Sequence, residues 1–554
     1  MDGKPEGLRQ SMSWVHTWAS LILGWLLYAI FFTGTLSYFR DEMDVWMKPE
    51  LHSAMANENT PQIALDSMQR IAPDATSWTV MLPGQRQIAV QARWREPGAA
   101  EGYEGTQRAE LSAATGERIR TRETLGGNFL YRFHYQLHAI PKLWGRWIVG
   151  LATGFMLVAL ISGVIVHKKI FKDFFTFRPR KGQRSWLDAH NVTSVLALPF
   201  CFVIALSGLI LLATELMPWG VNAAYDGDRQ TYNAERRDLG TANNGGAATA
   251  GQRKDVRSQP VQLAPAPLTN MQPVLAEAER RWPERGVGTI VVNQPGTSQA
   301  TIELREQGGD SMVNRGVGER LVFNGVSGEL QHAPHIATPP AAKAVYNVLT
   351  SAHMGRPRLP LLRWLLFFSG IVGTAMVATG MVLWVIKRSP KRKKLGYTPW
   401  THRFVEVMNV GGIAGLSLAT AAFFWLNRLI PGELAGRAEA EVYGFFTVWC
   451  LTFVYALVRP YRQAWREQMA LAALLFALLP VINPLTGGNG LVTAIAADQW
   501  SVASFDLAML VLAVLHGLVA YKLRNNHSTA PLRRQPSNAR SRAKTEPVAT
   551  GGPL

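Results

Sequence analysis

Cysteine is nearly absent, with only Cys201 and Cys450 in 554 residues. Both lie inside apolar stretches, which excludes a disulfide framework. No Cys-x-x-Cys-His occurs either, so covalent thioether attachment of a cofactor is excluded. Charge is scarce: Asp, Glu, Lys and Arg make up 17% of the chain, below the roughly 25% of soluble domains. No Gly-x-Gly-x-x-Gly follows a strand in a cytoplasmic segment, which argues against an internal nicotinamide or flavin domain. Gly-x-Ser-x-Gly and His-Glu-x-x-His are missing too, so these two hydrolytic signatures offer no lead. A cleavable signal peptide is not expected, because the first apolar run is too long and lacks a small-residue cleavage site.

Long hydrophobic runs are abundant. Val15–Tyr38, Gly145–Val166, Val192–Met217 and Leu361–Ile386 each supply the ~20 residues that cross a ~30 Å hydrocarbon core. Four more follow at Val405–Leu426, Val442–Val458, Met469–Ile482 and Phe505–Tyr521, the seventh being short and interrupted by proline. The expected fold is a mainly α, polytopic membrane protein with about eight spans. The net charge of +18 concentrates in the Lys168–Arg184 loop, in Lys387–Lys394 and in the tail from Lys522. These segments sit at alternate ends of the spans. The positive-inside rule therefore places them, and both termini, in the cytoplasm, with the long loops 40–143 and 218–360 facing outward. Topology accounts for the excess charge, so the expected partner is the bilayer and not nucleic acid.

The two long loops read as copies. The first has helical spacing over Pro61–Ile71, then strand-like stretches at Trp78–Leu82, Gln87–Arg93 and Glu110–Ile119. The second has a helix over Met271–Trp282 and strands at Thr289–Asn293, Gln299–Leu304 and Glu319–Leu330. Each predicts a small α+β lobe, and a Gly-before-Glu turn recurs in both last stretches. The Gly-, Ala-, Asn- and Pro-rich segment Asp226–Pro267 reads as a disordered linker. The chain then divides into repeat 1 (1–186), repeat 2 (187–394), a four-span C-terminal module (395–524) and a basic, disordered tail (525–554). Both copies run in the same direction, which predicts a pseudo-twofold axis along the membrane normal.

Histidines mark the ends of the duplicated spans. The spacing from His16 to Thr33-Gly34 equals that from His190 to Ser207-Gly208. Likewise Arg146-Trp147 precedes Ser162-Gly163 by the same interval as Arg363-Trp364 precedes Thr379-Gly380, with His138 and His353 just upstream. Histidines that merely anchored helix ends would need no such register. Ionisable residues near membrane depth are costly and usually functional, and one imidazole from each repeat grips a flat iron porphyrin from both faces. The candidate axial ligands are His16 with His190 for an inner haem and His138 with His353 for an outer one. His134 and His167, which have no mate in the other repeat, rank second as ligands or proton carriers. Small residues one or two turns from the inner histidines (Ser20 and Gly24, Ser194 and Ala197) leave room for a porphyrin edge, although they are also ordinary at helix contacts. The cofactor expected is haem b, two per chain. A non-haem metal is less attractive without carboxylates at ligand spacing.

Phe133-His134-Tyr135-Gln136-Leu137-His138, Ile161-Ser162-Gly163-Val164-Ile165-Val166-His167-Lys168-Lys169, Trp186-Leu187-Asp188-Ala189-His190-Asn191 and Ala352-His353-Met354-Gly355-Arg356 resemble the PepSY-associated transmembrane proteins, also called iron-regulated membrane proteins of Gram-negative bacteria. The resemblance covers residues 1–390. It implies an inner-membrane protein with periplasmic PepSY lobes, some of whose relatives are di-haem ferric-siderophore reductases. The expected function is therefore a transmembrane electron carrier that reduces a ferric siderophore or other periplasmic acceptor, with quinol or a separate reductase as donor. The acceptor is expected in a cleft between the lobes, bordered by Tyr131, Arg132, Tyr135, Trp144 and Arg356. The competing expectations are a binding or regulatory protein built on the lobes, and a siderophore or iron permease.

Overall fold

A computed structural model describes residues 7–53, 56–100, 105–167, 174–179, 181–238, 264–309, 311–334, 336, 338–355 and 359–524. The tail from 525, residues 168–173 of the basic loop, residues 239–263 of the linker and Arg356 lie outside the described residues. Among the described residues, eight helices are long and apolar enough to cross a membrane: Leu8–Trp46 (with a 3-10 turn at Ser37–Phe39), Lys142–Val166, Gln183–Leu211, Pro360–Leu395, Trp400–Leu429, Arg437–Val458, Tyr461–Leu485 and Trp500–Arg524. The seventh is a full helix despite its prolines. Pro480 and Pro484 fall in its last two turns, and each forgoes the backbone bond to the carbonyl four residues earlier.

The first span packs on the second and fourth, and the third packs on the same two, which closes a four-helix bundle. The C-terminal module docks on this bundle through its fifth span, which is enclosed by protein along its length. That span contains a π-helical turn at Val410–Gly415. Glycines there let large neighbours approach: a Cβ on Gly411 would lie 2.3 Å from the Phe453 ring. Trp25 of the first span donates its indole N–H to Asn409 Oδ1 (2.8 Å), fixing the module against the bundle.

Both lobes fold as expected, but they are not separate. Strands β1 (Ser77–Met81), β2 (Val90–Arg95), β3 (Thr106–Leu111) and β4 (Arg118–Ile119) come from the first lobe. Strands β5 (Val287–Asn293), β6 (Thr301–Glu306), β7 (Arg320–Asn324) and β8 (Leu330–His332) come from the second. They form one sheet of order β4-β3-β2-β1-β5-β6-β7-β8, with β1 antiparallel to β5 and Trp78 opposite Val292. The expected cleft between the lobes is thereby corrected to a continuous sheet. β1 and β5 are equivalent strands of the two copies, and pairing satisfies the backbone edge that each would otherwise expose. Trp78, Val80, Ile290 and Val292 are wholly buried on one face under the helices Thr60–Ile71 and Met271–Arg281. The linker reading also needs correction at its start, because Arg229–Asp238 is helical.

A buried ion pair ties the C-terminal module to the first lobe. Arg437 and Glu441 are fully buried and paired. Glu441 also accepts from Asn427 Nδ2 (2.8 Å) and the Thr124 hydroxyl (2.5 Å), and Arg437 donates to the Glu123 carbonyl (2.9 Å). Removing one partner of such a pair leaves an uncompensated charge and costs about 3–5 kcal/mol. Glu441→Ala should therefore lower the thermal unfolding midpoint of the detergent-solubilised protein markedly. A midpoint unchanged within error would mean that Arg437 finds water or another partner.

Candidate functional site

The first span carries His16 near its basic-loop end, and the third carries His190 at the matching position. Their ring centroids are 6.4 Å apart. Toward the sheet, the short helix Gly127–Gln136 carries His134, and the helix Ala341–Met354 carries His353, with centroids 6.1 Å apart. Both pairs join one repeat to the other.

Each of these four imidazoles is held in the same way. His16 Nδ1 bonds the Ala159 carbonyl at 2.9 Å, His190 Nδ1 the Met376 carbonyl at 3.0 Å, and His134 Nδ1 the Ile30 carbonyl at 2.7 Å. His353 Nδ1 lies 2.8 Å from the Ser207 hydroxyl and also reaches the Ile204 carbonyl. A carbonyl only accepts, so Nδ1 carries the proton and Nε2 keeps its lone pair. Metal-ligating histidines are usually oriented in this way. The four carbonyls each lie one helical turn before a glycine: Gly163, Gly380, Gly34 and Gly208. A Cβ there would stand 3.3, 3.1, 2.5 and 3.2 Å, respectively, from the ring that packs on it. The Ser-Gly and Thr-Gly dipeptides that mark the repeat are thus the seats of the histidines. The recurrence of this dipeptide in all four spans was the available signal, and as a sequence pattern it served only to set the register.

The outer pair differs from the expected one. His134, not His138, faces His353. The two residues would share a helix face if the helix continued, but it ends at Gln136, and Leu137 takes a left-handed conformation (φ 58°). That turn carries His138 away to stack on Phe446, with centroids 5.3 Å apart. His167 caps the end of the second span, within electrostatic range of His190. The other described buried histidines have structural partners. His52 bonds the Val45 carbonyl (3.0 Å), His402 lies 3.4 Å from Glu406, and His516 bonds the Leu512 carbonyl (2.7 Å).

His134 and His353 line a cavity of about 790 Å³ beneath the sheet. Its floor is apolar, with Leu27, Phe31, Val149 and Phe200. Its mouth holds Arg40, Arg86, Arg146 and Arg315. Three of these guanidinium groups sit over tyrosine faces: Arg40 over Tyr131 (5.0 Å), Arg146 over Tyr135 (5.4 Å) and Arg315 over Tyr346 (5.5 Å). Arg86, Arg315 and Tyr346 come from segments that the sequence reading did not single out. Tyr131 and Tyr135 fall where it placed them, whereas Trp144 is largely exposed. Burial holds His134 below the usual histidine range, and burial followed by the neighbouring His134 lowers His353 to about 3. Both imidazoles are therefore neutral, as a metal ligand must be.

Residues 13–387 match the family described as the PepSY-associated TM region. The chain belongs to that family. Among curated proteins, none matches the chain. The PepSY-associated region contains all four seated histidines and their glycines, and it ends before the C-terminal module begins.

Proposed function

We propose that this PepSY-associated protein is a di-haem electron carrier of a bacterial inner membrane, with its sheet in the periplasm. In this reading it reduces a periplasmic acceptor, foremost a ferric siderophore, and draws electrons from quinol or a separate reductase. The observation that carries it is the pair of cross-repeat histidine couples, each with Nδ1 engaged and Nε2 without a hydrogen-bond partner among the described residues.

Metal–imidazole bonds are about 2.0 Å, and a ring nitrogen lies about 1 Å from its centroid, so two imidazoles sharing one metal place their centroids about 6 Å apart. Both pairs have that separation. Among the described residues, no group of three or more His, Cys, Asp and Glu side chains is arranged to hold a metal ion. A bare ion would ordinarily take three or four protein ligands, whereas a haem carries nitrogen ligands of its own and would need only His16 with His190, or His134 with His353, from the chain. Bound haem supplies one-electron redox chemistry. The chain's own contribution is placement. Carbonyls fix the imidazole tautomers, and glycines admit the rings. At the outer mouth, Arg146 Nε and Arg315 Nε are buried without a hydrogen-bond partner among the described residues, which suits the carboxylates of an amphipathic ligand. Two sites at different depths also shorten passage across a ~30 Å core.

Haem content measured on detergent-purified protein is the direct test, and two b-type haems per chain are expected. A folded, colourless protein from haem-replete cells would discard the electron-carrier reading in favour of a binding or regulatory role. Orientation is tested separately. Reporters fused at positions 182 and 393 should read cytoplasmic, and those at 102 and 245 periplasmic. Opposite readings at 102 and 245 would overturn the parallel repeat.

A further inference from the structure

A second cavity, of about 1200 Å³, opens under the β2-β3-β4 edge of the sheet. The helix Gly127–Gln136 runs between it and the histidine cavity. Asn128 and Arg132 of Gly127–Gln136 line the larger cavity, while Tyr131, His134 and Tyr135 of the same helix line the other. Arg40 and Asp41 belong to the walls of both. The larger cavity is polar and strongly basic, with eight Arg and Lys side chains against five carboxylates among its lining residues.

Part of that charge is balanced internally. Lys48 pairs with Glu110 (2.6 Å), Arg122 with Glu50 (2.7 Å) and Arg40 with Asp41 (2.9 Å). Arg118, Arg120 and Arg132 have no carboxylate within salt-bridge distance among the described residues. On the sheet wall, Arg93 stands opposite Arg108 across β2 and β3, and each has a partner of its own. Arg118, Arg120 and Arg132 thus present positive charge at one concave surface beside the outer histidine pair. The volume exceeds the ~300–1,000 Å³ typical of small-molecule pockets, so the site has room for a bulky polar ligand as well as a simple ion.

We infer that this cavity is the docking site for a bulky, polyanionic metal chelate, held by Arg118, Arg120 and Arg132 one helix away from the outer histidines. The inference rests on the electron-carrier reading for its purpose and on the charged cavity alone for its binding. Where the anionic oxygen donors outweigh the charge of a trivalent metal, as dianionic catecholates do, the chelate keeps a net negative charge, which guanidinium groups recognise through charge-assisted hydrogen bonds.

The test uses full-length protein in nanodiscs and redox-inert probes: the trianionic gallium(III) tris-catecholate complex and a neutral gallium(III) tris-hydroxamate complex. Calorimetry should show the trianion binding wild type, with affinity falling by at least about tenfold in the exposed double variant Arg118→Glu/Arg120→Glu. Arg118→Gln/Arg120→Gln should fall in between. Absorption spectra and unfolding midpoints of the variants should match wild type. The neutral complex should bind more weakly than the trianion. Trianion affinity within about twofold of wild type in the charge-reversed variant, equal binding of the neutral complex, or displacement by equimolar inorganic phosphate would each overturn the inference. Charge-dependent binding by a protein without haem would leave the docking site standing and remove the electron-carrier reading. Haem present with no binding of the trianion would do the reverse.

Discussion

If the chain holds the two haems proposed, alanine in place of His353 should remove the outer one and leave the inner one, and alanine in place of His134 should remove the same haem. A b-type haem has no covalent tether, so each axial bond is a large share of what holds it. The expected result is a halved haem content, with any residual outer haem showing the high-spin spectrum of single ligation. His138→Ala should retain full haem content, because that ring stacks on Phe446 outside the pair. His16→Ala and His190→Ala should likewise converge on the inner haem. The assignment fails if His138→Ala strips the outer haem while His134→Ala spares it, or if the His16 and His190 variants lose different haems.

Gly34→Ala should be nearly as damaging as losing His134, although it removes no ligand. The added Cβ would lie 2.5 Å from both Cε1 and Nδ1 of His134, closer than real Cβ contacts come. The ring is pinned by the Ile30 carbonyl, so relieving the clash means breaking the bond that sets its tautomer. Overpacking of this kind costs about 1–3 kcal/mol, or roughly five- to 150-fold in haem retention. The other three seats provide a graded control. At Gly380, Gly208 and Gly163 the Cβ would stand 3.1, 3.2 and 3.3 Å from the ring, so their alanine variants should retain haem far better than Gly34→Ala. Apo-haem transfer rates measured across the four variants check this. If Gly163→Ala lost haem as fast as Gly34→Ala, glycine would be needed at these positions for helix packing and not for seating the ring.

Much of this arrangement was legible because it is repetitive. The spans announce themselves by hydropathy, and the strands of both lobes by alternation and turn chemistry. The inner pair, His16 and His190, follows from equal spacing along unbroken helices, where counting residues is counting height. That arithmetic fails at His134 and His138. One helical turn separates them, and the choice depends on where the helix stops, which a left-handed Leu137 decides. The merging of the lobes was illegible for another reason. Each lobe makes a plausible unit alone, and nothing in the alternation of β1 or β5 shows that its open edge meets its own counterpart. The arginines at the outer mouth were missed because Arg86 and Arg315 are remote in sequence from the histidines, and only the fold brings them over the cavity.

The β1–β5 seam also governs how the two halves can move. Five consecutive residue pairs, from Ser77 opposite Asn293 to Met81 opposite Thr289, stitch the outer parts of the repeats together. Transporters built from repeats alternate access by rocking one repeat against the other. Here such rocking would have to shear a backbone ladder in the middle of a sheet, where every broken bond leaves buried polar groups unpaired. The seam works as a yoke that holds the spacing between opposing histidines constant. A fixed gap is of little use for carrying cargo through. For the proposed electron carrier it would be an asset, because imidazoles held at one spacing would ask for little nuclear rearrangement as charge passes.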